Sequence, residues 1–244
     1  MAASPWNRCD VLRSIATHIL KRVKPLISPS VLNADLTRLH DEIARVAPVA
    51  DMIHLDVMDN NFVPNLTFGM PVVEQVVSAA QLPADLHLMI SDADTWAPKY
   101  AATGAYSVTF HLEAARDPGE TARAIRGEGA RSAIGIKPAT PVNEVDAYLP
   151  FIDMLLIMTV EPGFGGQSFM AEMLEKVRQA RKRADDLGID LWIEVDGGVG
   201  LDTIGACAEA GANVFVAGSA VYRSHDPAQV VDQLRTVAAA QYRA

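Results

Sequence analysis

The stretch Ile53-His54-Leu55-Asp56-Val57-Met58-Asp59 alternates apolar side chains with polar or polarizable ones, the period-two signature of a β-strand. On such a strand His54, Asp56 and Met58 share one face, and Ile53, Leu55 and Val57 share the other. The apolar face packs under helices, so the histidine and the carboxylate point into whatever the strand encloses. A charge buried there is costly unless it is paired or bound to a metal.

Working outward, strand-like runs recur at Leu26 to Val31, Met52 to Met58, Ala84 to Ile90, Tyr106 to His111, Arg131 to Lys137, Met154 to Val160, Leu191 to Asp196 and Val214 to Ala217, eight in all. Between them Leu36, Leu39, Ile43 and Val46 recur at helical spacing, as do Met170, Met173, Leu174, Val177, Ala184 and Leu187. Asp117-Pro118 and Asp226-Pro227 read as an N-cap followed by proline at the first helical position, and Gly188 follows the last periodic residue of its helix. Eight strand-and-helix pairs in a chain of this length predict an α/β fold, a closed (β/α)8 TIM barrel, for which roughly 250 residues is typical. An open doubly wound sheet would gather its site at one switch point, whereas here polar residues end many strands, and no dinucleotide fingerprint follows the first.

The barrel is expected as a single domain over residues 25-244. Residues 1-24 stand apart, with Arg8, Arg13, Lys21, Arg22 and Lys24 against Asp10 and a loose stripe of Val11, Leu12, Ile15, Ile19 and Leu20. They read as an appended helix or an early start, with Val23 as an alternative first residue. Half of the 244 residues are hydrophobic, yet no apolar stretch is long enough to cross a bilayer, so a soluble protein without a membrane partner is expected. The formal charge of -9 argues against nonspecific nucleic-acid binding, which needs clustered cations. Cys9 and Cys207 match no metal or redox spacing, and a reducing cytoplasmic setting is expected.

His87, in Leu86-His87-Leu88-Met89 on the next strand, is the neighbour expected for His54 and Asp56, and Asp196 reaches the same space from the seventh strand across the ring. Two histidines and two aspartates suit one divalent ion, with Zn, Fe, Mn and Co all compatible. Taken singly, each of these residues reads as a hydrogen-bonded core histidine or a structural cap; the convergence is what points to a site. Glycine-rich turns follow the last three strands at Gly163-Phe164-Gly165-Gly166, Gly197-Gly198 and Gly218-Ser219. Turns without side chains expose backbone N–H groups to a phosphate, and barrels place such sites after their last strands. A metal, a phosphate grip and two carboxylates from opposite sides suit proton transfer beside the carbonyl of a sugar phosphate. One group takes the proton from one face of a carbon and the other returns it to the opposite face. General acid–base help contributes about 10²- to 10⁴-fold, so the metal must carry part of the acceleration.

These segments resemble the ribulose-phosphate 3-epimerase family from Pro25 to about Arg235. The resemblance rests on Ile27-Ser28-Pro29-Ser30-Val31-Leu32, on His54 to Asp59 followed by Asn60-Asn61-Phe62-Val63-Pro64-Asn65, on His87-Leu88-Met89, on Met158 to Phe169, on Val195-Asp196-Gly197-Gly198 and on Gly218-Ser219. It implies that His54, Asp56, His87 and Asp196 bind the divalent metal and that Asp56 and Asp196 are also the acid/base pair. It further implies that Ser30, His87, Gly163, Phe164, Gly165, Gly166, Asp196, Gly197, Gly198, Gly218 and Ser219 contact a phosphorylated ketose. Met58, Met89 and Met158 would line the reacting centre, although methionine also serves as a core filler. The chain departs from the family at residues 1-24 and at His111-Leu112-Glu113, where the family usually has proline in the middle. The resemblance implies a homo-oligomer, dimer or hexamer.

The nearest alternative is a D-allulose 6-phosphate 3-epimerase with the same metal set. A barrel decarboxylase would carry Asp-x-Lys-x-x-Asp, and the second strand has no lysine. A phosphosugar-binding protein without turnover fits poorly with both aspartates.

Overall fold

The computed structural model describes residues 24–242. The appended N-terminal segment, apart from Lys24, and with it Cys9 and Val23, lies outside the described residues. The eight expected strands are present: β1 (Leu26–Pro29), β2 (Ile53–Met58), β3 (Ala84–Met89), β4 (Ser107–His111), β5 (Arg131–Ile136), β6 (Met154–Met158), β7 (Trp192–Asp196) and β8 (Val214–Ala217). All pair in parallel with their sequence neighbours, and β1 pairs with β8, which makes a TIM barrel. The last gap, between β1 and β2, closes through a single bridge, Ser30 to His54. Below that bridge Asp51 finishes the join, its N–H donating to Ile27 O at 3.1 Å and its carboxylate accepting from Ile27 N at 2.9 Å.

The helices are α1 (Leu39–Val46), α2 (Met70–Ala79), α3 (Ala93–Ala101), α4 (Pro118–Gly127), α5 (Leu174–Leu187), α6 (Ile204–Ala210), α7 (Ser219–Tyr222) and α8 (Pro227–Gln241). Their ends follow from local chemistry. Asp117 and Asp226 accept N–H bonds from Glu120 and Gln229 as N-caps, and Gly188 takes the left-handed conformation (φ 64°) that ends α5. One expectation needs correcting: the crossover from β5 to β6 carries no α-helix, only two 3-10 turns, Val142–Val145 and Leu149–Phe151. Pro138, Pro141 and Pro150 remove backbone donors through this connection and bias the preceding residues away from helix. Two helices instead follow β8, so the total among the described residues is still eight.

The outward faces of the strands, including Leu55, Leu86, Phe110, Leu155, Ile193 and Phe215, join apolar helix residues such as Val73, Ile125, Val177 and Leu234 in one continuous core. The inward faces are different. Met52, Ala133, Met154 and Val214 plug the bottom, above them the interior is largely polar, and the top opens among the glycine turns. Among the described residues no helix is long and apolar enough to cross a membrane.

Candidate active site

Parallel register carries the functional side chains to one place. Asp56 pairs with His87 across β2 and β3, and Met158 pairs with Asp196 across β6 and β7. Because paired residues face the same side, both carboxylates and both histidines project into the upper barrel. One donor atom from each of His54, Asp56, His87 and Asp196 can be chosen so that all four lie within 4.8 Å of one another. His87 Nδ1 stands 3.1 Å from Asp56 Oδ1 and 3.4 Å from Asp196 Oδ2, and His54 Nε2 stands 3.5 and 3.9 Å from the same two oxygens.

These separations suit a divalent cation, since donors about 2.1 Å from a common centre stand roughly 3.0–3.4 Å apart. The chemistry of the set points the same way. His54 Nε2 is fully buried and lacks a hydrogen-bond partner, which in a polar cluster marks a lone pair held for something else. The quartet therefore fits one metal ion, and its donors do not select among Zn, Fe, Mn and Co.

The electrostatics follow from burial. Desolvation alone would raise the Asp56 pKa, but the facing charges of the His54 and His87 rings hold it far below the ordinary carboxylate range. Burial would lower both histidines, yet facing carboxylates raise them: Asp56 and Asp85 act on His54, and Asp196 and Asp56 act on His87. The Ser30 hydroxyl donates to Asp56 Oδ2 at 2.6 Å, leaving Oδ1 turned toward the two rings.

Above the quartet lies an open cleft of about 500 Å³, counting the space at its mouth that is continuous with solvent. Of the residues expected at the site, Ser30, Asp56, Gly163, Phe164, Gly165, Gly166, Asp196, Gly197, Gly198, Gly218 and Ser219 line it, together with Met58, Met89 and Met158. His54 and His87 are fully buried beneath its floor rather than on its wall. Backbone geometry fixes the turns. Gly163, Gly166, Gly197 and Gly198 have φ values of 125, 74, 119 and 66°. Asn65 Nδ2 ties the loop after β2 to Gly163 O at 2.7 Å, and Gln167 Nε2 holds the Glu161 and Phe164 carbonyls at 2.7 and 2.8 Å. The Asn33 amide fits between the turns after β6 and β8, so close that a Cβ on Gly165 or Gly218 would meet its oxygen at 2.5 Å. Among the described residues no lysine or arginine lines the cleft, which leaves backbone N–H groups and Ser219 to meet an anion; the Arg223 guanidinium stands just behind Gly166.

Four residues outside the expected set adjoin the quartet, three buried in the same interior and Glu113 at its rim. Asp85 and Glu194, each two positions before an expected ligand, point the same way from β3 and β7. Asp85 Oδ2 accepts from His54 Nδ1 at 2.7 Å, while its other oxygen accepts from Ser107 Oγ at 2.5 Å. Glu194 is fully buried, and desolvation and the Asp85 charge push its carboxyl well above the usual range. His111 and Glu113 flank His87 on the other side. His87 Nε2 is 2.9 Å from His111 Nε2, and His111 Nδ1 is 3.3 Å from Glu113 Oε2. Burial pushes His111 down to about 4, and Glu113 is drawn down to about 2 by hydrogen bonds from His111, Thr140 and Lys137 N that outweigh its own burial. The period-two rule that exposes His54 and Asp56 would also have picked out Asp85 and Glu194.

Residues 26–222 match the model of the ribulose-phosphate 3 epimerase family. The chain is 54% identical over 216 residues to ribulose-phosphate 3-epimerase of Mycobacterium leprae, covering 88% of this chain and 96% of that protein. It is 43% identical over 213 residues to ribulose-phosphate 3-epimerase of Escherichia coli, covering 86% and 95%. Among solved structures, 3-hexulose-6-phosphate synthase from Salmonella typhimurium has the same fold, with a TM-score of 0.62 at 18% identity over 89% of this chain and all of that one.

Proposed function

The chain belongs to the ribulose-phosphate 3-epimerase family, whose members are isomerases, and from that premise we propose that it interconverts D-ribulose 5-phosphate and D-xylulose 5-phosphate by proton transfer at C3. The observation that carries this reading is the pair of carboxylates, Asp56 from β2 and Asp196 from β7, both lining the cleft and both converging on one histidine nitrogen beneath it. A planar intermediate lying between two such groups can lose its proton to one and regain it from the other on the opposite face, which inverts the carbon. Ser30, by holding Asp56 Oδ2, orients that carboxylate. The glycine turns after β6, β7 and β8 would receive the phosphate through backbone N–H groups, which suits a chain of net charge -9. Met58, Met89 and Met158 give the reacting carbons an apolar wall and keep water from the exchanging proton.

His54, Asp56, His87 and Asp196 would hold one divalent ion, which supplies positive charge to the substrate oxygens where negative charge develops. The same reading carries a cytoplasmic enzyme without nucleic-acid or membrane partners that works as a homo-oligomer; the exposed Leu66 and Trp96 beside the mouth support the last point. The pentose is preferred over D-allulose 6-phosphate because the curated relatives described above are ribulose-phosphate enzymes.

The test is turnover of D-ribulose 5-phosphate beside D-allulose 6-phosphate, with metal content measured on the same preparation. Pentose preference, lost on chelation and restored by a divalent ion, is expected; hexose preference rejects the substrate. Asp56→Asn and Asp196→Asn should each lower turnover at least about 10³-fold, since each removes a proton-transfer group and a metal ligand together. Full activity in either variant would sink the two-base assignment.

A further inference from the structure

We propose that His111 and Glu113 are positioning residues that fix the protonation of the His87 ring, so that its Nδ1 lone pair, and not Nε2, faces Asp56 and Asp196. The proposal rests on the reading of the quartet as a metal holder and adds to it two residues outside that set.

The Glu113 carboxylate can only accept, and both its oxygens are engaged: Oε1 by Lys137 N at 2.9 Å and by the Thr140 hydroxyl, Oε2 by His111 Nδ1 at 3.3 Å. His111 Nδ1 must therefore carry a hydrogen. His111 is fully buried, with the His87 ring at 5.1 Å and the Phe62 ring at 4.8 Å, and Lys137 Nζ sits 3.7 Å from the centre of the Phe62 ring. A second positive charge in that slot has no anion to meet on the Nε2 side, so the ring is a neutral imidazole with one N–H. Its Nε2 is then an acceptor, and its hydrogen-bond partner among the described residues is His87 Nε2 at 2.9 Å, which must donate. As a metal ligand the His87 ring is neutral, so with its one proton on Nε2 it has a bare Nδ1, and that atom is the one standing 3.1 and 3.4 Å from the two aspartates. Every hydrogen in the series is set by the carboxylate at its end.

His54 is oriented in the opposite sense. Its Nδ1 meets Asp85 directly at 2.7 Å, and Nε2 faces the centre. The two rings thus present different nitrogens to one point, one backed by a carboxylate from below and the other by a histidine and a glutamate from the side. Such backing groups orient a ligand and raise its basicity, and their loss commonly costs 10- to 100-fold in metal affinity.

The test uses the full chain, stripped with chelator and reloaded with zinc. Long-range 1H–15N correlation on histidine-labelled wild-type protein should place the His87 proton on Nε2 and the His111 proton on Nδ1, with no variant required. In competition with a chromophoric chelator, His111→Phe should bind zinc about 10- to 100-fold more weakly. Glu113→Ala, which leaves the ring in place, should shift affinity in the same direction and disturb the His111 proton, with thermal melts of the zinc-free proteins showing that both variants fold. A His87 proton on Nδ1, or wild-type zinc affinity in both folded variants, overturns the proposal while leaving the quartet intact. If the wild type takes up no zinc, the metal-holding reading fails and the proposal falls with it.

Discussion

Gly198 shows how narrowly single positions are specified. Its φ of 66° lies in the left-handed region, and a Cβ there would stand 2.7 Å from both Cα and N of Phe169, backbone atoms that cannot swing aside. Gly188 has nearly the same φ, 64°, but nothing within 4 Å of a Cβ. Gly198→Ala should therefore cost roughly 3 kcal/mol or more and Gly188→Ala only about 1 kcal/mol, in urea denaturation of the two variants side by side. Equal costs would show that the turn after β7 relaxes freely. The same scale explains what could be read without coordinates. His54, Asp56, His87 and Asp196 stand out because polar residues on the inner face of otherwise apolar strands have few bland explanations. His111 and Glu113 are legible only as part of a segment that departs from the family, because their nearness to His87 depends on β4 lying beside β3 at a given height, a matter of register that one strand does not carry. Asp85 and Glu194 are within reach of the alternation rule but are overshadowed by His87 and Asp196 two residues on, the more obvious candidates.

At the level of elements, Asp94 joins two helix starts. It sits in the first turn of α3, and its carboxylate accepts from Arg116 N and Asp117 N at 3.0 Å each and from the Thr121 hydroxyl at 3.0 Å, so it also anchors the beginning of α4. Partial burial would raise its pKa, but these N–H and O–H donors bring it below the usual carboxylate value. A depressed carboxylate adds stability that is complete above its unfolded pKa and disappears as pH falls through the folded one. Asp94→Asn should thus lose about 2 kcal/mol at neutral pH, with the gap to wild type closing below about pH 4. Urea midpoints across that range would check it; a gap that persists in acid would mean the carboxylate's charge is not what holds the helices. Helix starts of this kind were legible, since Asp117 and Asp226 announce themselves by the proline that follows. The absence of a helix between β5 and β6 was not, because the alternation of strands and helices elsewhere masks the three prolines that bias this connection away from one.

For the molecule as a whole, the join between β1 and β2 is the weak line. Seven pairs of strands share continuous ladders, whereas this pair shares one bridge, and Arg235 of α8 reinforces it from outside. The Arg235 guanidinium binds the Asp51 carboxylate at 2.5 Å and the carbonyls of Pro25 and Val49, so the last helix holds the first two strands together. Removing one partner of such a largely buried group should be expensive. Arg235→Met is expected to lower stability by about 3 kcal/mol. Turnover at 25 °C should be retained, and hydrogen exchange at the Ile27 and Asp51 amides should accelerate more than at β5 or β6. Uniform acceleration around the ring would argue against a weak line.

The bridge that closes the ring joins Ser30, which orients Asp56, to His54 itself. Closing the circle and assembling the centre are therefore one event, and a half-open molecule has no competent centre to offer. Mass action then works in reverse: whatever occupies the centre acts as a rivet, adding RT ln(1 + [L]/Kd) to the cohesion of the whole circle. The concentration of its own small-molecule cargo becomes, for this protein, a term in how long it lasts.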